Sequence, residues 1–360
     1  MTSSKSDWLL SAPVSATNTK SDTPLFPYLA RLIRGEDLST NEAALFFRAL
    51  TDTNIGSNQI AAALTALTAK GETADELAGM AGVMRILATT VKAPKTAVDI
   101  AGTGSSPART FNLSTAAALV AAGAGLVVAK QSNRGLMTKS GSIDVLVELG
   151  IRAAEEPQIA QASLSGVGLT FLSAPKFHPA LRRIGDVRGK LGIRTCLNVL
   201  GLLANPALVS RQLVGVWHRS LVEPVAKALA ILKSDKAWVV HGEDGLDEIT
   251  LAGNTFVAEV DGNEVQTGTV SPADFGLKSG SIDHLKTNSA KESARIILDV
   301  LASRRRDEAR SLIVLNAAAA LVIGGIARDP MHAARLAEQS IDSGQAQNKL
   351  DRLIQVTNKK

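Results

Sequence analysis

Two stretches carry residue types that could do chemistry together. The first is the loop Gly102-Thr-Gly-Ser-Ser-Pro107, followed by Ser114 and Thr115 just ahead of the Ala-rich run AAALVAAGAG. Side-chain oxygens at 114 and 115 are placed to cap the first turn of a helix. A helix N-terminus presents unpaired N–H groups and a positive dipole end, which together bind anions. Gly102 and Gly104 admit close backbone approach by a ligand. Lys130 and Arg134 leave the following apolar run at the same edge, so the stretch reads as a phosphate site. A tight connection with no ligand would have the same sequence. The second stretch is Asp247-Glu248, in the carboxylate-rich turn after AWVVHG. A carboxylate pair beside a phosphate loop suits Mg²⁺, which keeps several waters and joins one or two carboxylates to phosphate oxygens. Ser114 could add a hydroxyl ligand. An acidic solvated turn is the alternative. Arg188 offers a planar guanidinium suited to a substrate carboxylate, although a surface arginine would be spaced no differently. The histidines at 178, 218, 241, 284 and 332 show no metal-ligand spacing, and no Ser–His–Asp arrangement is evident. Electrostatic handling of a phosphate-bearing substrate therefore fits better than acyl transfer.

The elements around these residues follow a regular pattern. VDIA, the Gly-Thr-Gly turn, the Ala-rich run and LVVAK make a strand–turn–helix–strand unit. In such units ligands bind beyond the carboxyl ends of the strands. Upstream, helical periodicity predicts four short amphipathic helices: LFPYLARLIRG, then NEAALFFRALTD capped within 37–40, NQIAAALTALTAKG capped by Ser57, and ADELAGMAGVMRILATT capped by Thr73. They should form a small helical lobe over 25–93, with a leftover apolar face available to a dimer. Pro94 marks the boundary. Residues 1–24 are rich in Ser, Thr and Lys and read as a mobile tail. From Val98 onward strands alternate with helices, which implies an α/β lobe with a mainly parallel sheet. TFVAEVDGNEVQTGTV reads as a hairpin turning at Asp261-Gly262. The last third reads as three helices ending with MHAARLAEQSIDSG.

Composition bounds the alternatives. The chain has 360 residues, 45% hydrophobic and only 3% aromatic, enough for two lobes and more consistent with helices on a parallel sheet than with an all-β fold. A net charge of +5 and a pI near 9.3 suit an anionic ligand but are too mild to imply nucleic acid. The single cysteine, Cys196, excludes an intramolecular disulfide. No apolar run is long enough to span a membrane, and MTSSKSDWLL lacks a signal-peptide core. A cytoplasmic protein is expected.

GTG…TFNLSTAAALVAAGAGLVVAK…NRG…KSGSIDVLVELGI resembles the anthranilate phosphoribosyltransferase family, within a clan that includes pyrimidine nucleoside phosphorylases. Further blocks at 59–73, 177–195, 239–250 and 272–277 agree, so the likeness covers about residues 25–355. The resemblance implies a helical lobe with a returning segment around 193–215, and an α/β phosphoribosyl-binding lobe over 94–192 and 216–360. It implies a homodimer through the helical lobes. The implied reaction is Mg²⁺-dependent displacement of pyrophosphate from 5-phosphoribosyl 1-pyrophosphate by the amine of anthranilate, in tryptophan biosynthesis. Gly102, Thr103, Gly104, Asn112, Ser114, Thr115, Lys130 and Ser142 would then hold the donor. Ser114, Asp247 and Glu248 would bind Mg²⁺, and Asn133 and Arg188 would contact the aromatic acceptor. Three motifs depart from the family pattern. Gly-Thr-Gly-Gly-Asp-Gly is Gly102-Thr-Gly-Ser-Ser-Pro107 here, where Pro107 removes an N–H and Arg109 adds charge. Lys-His-Gly-Asn-Arg is Lys130-Gln131-Ser132-Asn133-Arg134. Gly-Pro-Leu is Gly201-Leu202-Leu203. These departures leave open a paralogue with another aromatic acceptor, a non-catalytic relative that binds nucleic acid, and a nucleoside phosphorylase.

Overall fold

A computed structural model describes residues 24–104, 106, 108, 110–135 and 141–359. The expected tail, apart from Pro24, lies outside the described residues, as do Ser105, Pro107 and Arg109 of the altered loop and Lys139 and Ser140 of the KSGS motif.

Four helices open the described residues: α1 (Phe26–Ile33), α2 (Thr40–Leu50), α3 (Ser57–Lys70) and α4 (Ala74–Leu87). Two begin with reciprocal capping boxes, Ser39 with Glu42 and Thr73 with Glu76. The start of α3 differs from expectation. Gly56 is its N-cap, Gln59 Oε1 accepts the Gly56 N–H at 2.9 Å, and Ser57 is already helical. Beneath these caps, buried Glu76 accepts from Leu38 N at 3.0 Å and pairs with Lys70 at 2.9 Å, tying the α1–α2 loop to α4.

The α/β part follows. Strands β1 (Val98–Gly102), β2 (Val128–Ser132), β3 (Leu169–Ser173), β4 (Arg211–Gly215) and β5 (Lys236–Gly242) are parallel. The hairpin β6 (Thr255–Asp261) and β7 (Glu264–Val270) adds antiparallel pairing at one edge, giving the order β3-β2-β1-β4-β5-β6-β7 among the described residues. Asp261 pairs with Glu264, so the two-residue turn is Gly262-Asn263, one residue later than the Asp-Gly signal suggested. Gly262 takes the positive φ (60°) that the turn requires.

Helices between the strands are α5 (Leu113–Gly123), α6 (Ser142–Glu148), α7 (Pro157–Val167), α8 (Ala174–Phe177), α9 (Arg182–Leu191), α10 (Leu197–Leu203) and α11 (Val222–Ile231). The chain closes with α12 (Ala290–Leu301), α13 (Glu308–Ile323), α14 (Pro330–Asp342) and α15 (Gln345–Thr357). Sequence reading missed α15. Its amphipathic stripe starts after Gly344, which reads as the end of the preceding helix, and it packs on α5 and α7.

Period-two alternation divides the core between the sheet faces. Val98, Ile100, Leu213, Trp238 and Val240 join α5 and α12–α15 on one face. Ala101, Val214, Ala237 and Val239 join α1–α4 and α9–α11 on the other. The helical lobe therefore shares one continuous core with the sheet, through α10 and α11. Within the segment 193–215, α10 packs on α4, whereas Arg211–Gly215 is the strand between β1 and β5.

Candidate active site

A cleft of about 380 Å³ lies beyond the carboxyl ends of β1, β2 and β5, with α9 and α10 along its other side. Gly102, Thr103, Gly104, Asn112, Ser114, Lys130, Asn133, Ser142, Arg188, Asp247 and Glu248 all line it. Thr115 does not. It is fully buried within α5, and its hydroxyl has no hydrogen-bond partner among the described residues. Ser114 and Thr115 are not caps either. The N-cap is Asn112, without a side-chain cap bond, and both hydroxyl residues sit in the first turn.

The carboxylate turn is seated by glycines. A Cβ at Gly215 would fall 1.6 Å from Asp247 O, and one at Gly102 would fall 3.0 Å from it. Only bare backbone at the ends of β1 and β4 lets the 247–248 turn come down onto the sheet edge. Gly102 thus seats the turn as well as lining the cleft, while Gly104 holds φ +61° with open space beside it. Thr103 Oγ1 donates to Asp247 Oδ2 at 2.6 Å, and Thr103 N donates to Gly215 O at 3.0 Å. Behind the turn, buried Asn316 brackets Ile249, accepting from its N–H at 3.0 Å and donating to its carbonyl at 2.9 Å.

Electrostatics around this turn are strong. The Ser114 backbone N–H at the start of α5 favours the ionised form of Glu248, yet burial and the adjacent Asp247 hold its carboxyl well above the usual range. Lys130 is buried and donates to Ile100 O at 2.6 Å. Burial pulls its pKa down, while Asp99 and Glu248 push it up. Burial likewise lifts the Asp99 carboxyl to about 6, against the pull of Lys130. The site thus holds oxygen ligands of the hard type beside an N–H-rich helix start and one buried ammonium. Asn112 Oδ1 and Ser132 Oγ, both buried, have no hydrogen-bond partner among the described residues. Both residues line the cleft, so the cavity offers polar groups that a ligand can satisfy.

The opposite side has a different character. Asn133 N donates to Ser142 Oγ at 3.0 Å, which ties the end of β2 to the start of α6. Arg188 in α9 is half-buried, and burial lowers its pKa. Its neighbour Arg183 binds the carbonyls of Asp52, Thr53 and Ile55 and clasps α9 to the helical lobe. Leu197, Asn198, Gly201 and Leu202 of α10 complete the wall. A Cβ at Gly201 would lie 3.5 Å from Gln131 Nε2, so α10 abuts the altered end of β2.

Some lining residues were missed from sequence. Thr287, Asn288 and Ser293 reach the cleft because the strip 285–293 is fastened to the loop after β1, through Phe111 N to Leu285 O at 3.2 Å and Asn112 N to Ser293 Oγ at 2.7 Å. No local motif marks them. The histidines also gained a neighbourhood that spacing could not show. His284, Asp307 and Glu308 bring ligand atoms within 4.8 Å of one another. Asp307 is already engaged there, capping Ala309 N at 3.1 Å and pairing with Arg305 at 2.5 Å.

Fold and cleft together define a two-part glycosyl transferase. The family model described as the glycosyl transferase family helical bundle domain matches residues 26–88, and that described as its a/b domain matches residues 94–347. The anthranilate phosphoribosyltransferase of Xanthobacter autotrophicus is 40% identical over 92% of this chain and 96% of its own length. That of Afipia carboxidovorans is 43% identical over 91% and 97%. Among solved structures, the Thermus thermophilus anthranilate phosphoribosyltransferase superposes with a TM-score of 0.85 at 34% identity, covering 92% of this chain and 99% of that one. The Saccharomyces cerevisiae enzyme in complex with PRPP and Mg gives 0.84 at 27% identity, covering 94% and 98%. The chain belongs to the anthranilate phosphoribosyltransferase family.

Proposed function

We propose that this protein transfers the phosphoribosyl group of 5-phosphoribosyl 1-pyrophosphate to the amine of anthranilate and releases pyrophosphate, a step of tryptophan biosynthesis. The observation that carries this reading is the two-sided cleft. Hard oxygen donors and a helix N-terminus stand along one wall, and amide, guanidinium and apolar groups along the other. The C–O bond from the anomeric carbon to pyrophosphate breaks with its electron pair leaving on pyrophosphate. A C–N bond to the arylamine forms, and the amine proton passes to solvent. An arylamine is unprotonated near neutral pH, so no strong base is required. What the site must supply is positioning and charge compensation for the leaving group.

In this assignment the start of α5, Gly102, Thr103, Gly104, Asn112, Ser114, Lys130 and Ser142 bind the phosphates and ribose. Arg188 pairs with the anthranilate carboxylate, and Asn133 orients the ring. Asp247, Glu248 and the Ser114 hydroxyl suit Mg²⁺, which when bound neutralises charge on the leaving pyrophosphate. The named relatives support this transferase reading and lend nothing to a different acceptor, a nucleic-acid binder or a phosphorylase. Among the described residues no helix is long and apolar enough to cross a membrane, in keeping with work in the cytoplasm. Phe26, Ile33, Leu45 and Ile86 are exposed apolar side chains on the helical lobe and suit a homodimer through that lobe.

Steady-state assays with both substrates and Mg²⁺ test the proposal. Pyrophosphate release equal to anthranilate consumed is expected. A folded protein that releases none, or that releases free base from nucleosides with phosphate, contradicts it.

A further inference from the structure

The wall formed by α10 rests on a layer of buried polar side chains that none of the roles above uses. Asp99, in β1, is fully buried and does not line the cleft. Its Oδ2 accepts from Asn205 Nδ2 at 2.7 Å, and its Oδ1 accepts from the Gln131 backbone N–H at 3.2 Å. Asn205, also buried, donates to Ala129 O and accepts from Ala207 N, each at 2.8 Å. Gln212 is in register with Asp99 on the neighbouring strand β4. It is buried, and its Nε2 donates to Leu202 O at 2.8 Å.

The end of α10 is therefore fastened to the sheet at two points. Asn205 ties it to β1 and β2, and the Leu202 carbonyl ties it to β4. A buried carboxylate is a costly anchor. An apolar pair of similar volume commonly holds a fold at least as well. What a satisfied polar layer adds over apolar contact is one defined orientation. The groups whose placement it defines are Gln131 at the end of β2 and the cleft-facing side of α10.

We propose that Asp99, Asn205 and Gln212 are positioning residues for the aromatic acceptor: they fix how α10 meets the end of β2, and so the shape of the cleft wall that the acceptor lies against. The inference rests on the transferase reading above. None of the three touches substrate in it. Their effect runs through Gln131, Gly201 and Leu202, and should fall on acceptor binding more than on the phosphoribosyl donor, whose wall is seated on Gly102 and Gly215 and meets this layer only through the charge of Asp99 on Lys130.

Steady-state kinetics of Asp99→Asn and Gln212→Leu, with folding followed by thermal unfolding, test this. Gln212→Leu is expected to raise the anthranilate KM about tenfold, the effect of losing one buried hydrogen bond, and to leave the donor KM within about twofold; Asp99→Asn also removes the charge that acts on Lys130 and should raise the anthranilate KM as much and the donor KM by less. A rise confined to the acceptor KM separates positioning from a general loss of stability, which would not discriminate between the two substrates. An unchanged acceptor KM in folded variants, or equal rises in both KM values, overturns the inference. Should Asp99→Asn fail to fold, Gln212→Leu decides alone, since it removes only one donor. A wild-type protein without anthranilate-dependent turnover overturns the transferase reading and this inference with it. Wild-type turnover with unaltered variants overturns the inference alone.

Discussion

The two walls of the cleft are built on opposite plans. The wall made by the end of β1, the start of α5 and the 247–248 turn is held by backbone. Glycines let main chains touch, Thr103 hydrogen-bonds both Asp247 and Gly215, and the Ser114 backbone N–H favours the ionised form of Glu248. The wall made by α9, α10 and the end of β2 is held by side chains reaching across long stretches of sequence: Arg183 to the α2–α3 loop, Asn205 to Asp99, Gln212 to Leu202. A wall made of backbone presents fixed charge to an anion and admits few changes. One made of side chains can be retuned by single substitutions, as at Gln131, Ser132 and Leu202, whereas in the backbone-built wall the departures fall in the loop after β1, where Ser106 lines the cleft.

If this contrast holds, damage to the backbone-built wall should cost most. Asp247→Asn combined with Glu248→Gln is expected to lower Mg²⁺-dependent turnover about a thousandfold or more, with thermal unfolding showing an intact fold. Turnover within about tenfold of wild type would remove the metal assignment. Gly215→Ala comes next. The added methyl must displace the Asp247 carbonyl, so activity should drop about a hundredfold and stability by about 2–4 kcal/mol. An alanine variant of normal stability and rate would show that the turn is not seated as described. Arg188→Ala belongs to the other wall and should raise the anthranilate KM about tenfold with little change in donor KM. Equal effects on both substrates would erase the distinction between the walls.

The smallest effect on activity is expected at His178, which is 5% exposed and sits against the backbone of Ala204, just past α10. Burial lowers its pKa from 6.5 to about 4. The unfolded chain therefore binds a proton that the native state refuses. Stability should fall as the pH drops from about 6.5 through about 4, by up to about 3 kcal/mol, and be unaffected above neutrality. Replacing His178 with Gln should flatten that acid limb in denaturant titrations at fixed pH. A limb of unchanged slope would assign acid sensitivity elsewhere.

Legibility in the sequence followed the same division. The strand–turn–helix unit at 98–132, the capping boxes at Ser39 and Thr73 and the acidic turn after β5 are local signals, so the parallel sheet and the anion-facing wall were readable. Cap identity was less so. A hydroxyl residue before an Ala-rich run looks like an N-cap, but α5 has already begun at Leu113, and Thr115 is drawn into the core. The strip 287–293 has no motif, because it reaches the cleft only through pairing with the loop after β1. Asp99 and Asn205 stand 106 residues apart, and neither pattern nor spacing could have joined them.

Calorimetric titration of 5-phosphoribosyl 1-pyrophosphate with Mg²⁺ into the purified protein, with no acceptor present, tests the central claim most directly. About one site per chain with roughly micromolar affinity is expected, lost in the Asp247→Asn, Glu248→Gln variant. A folded wild-type protein that takes up no donor would contradict it.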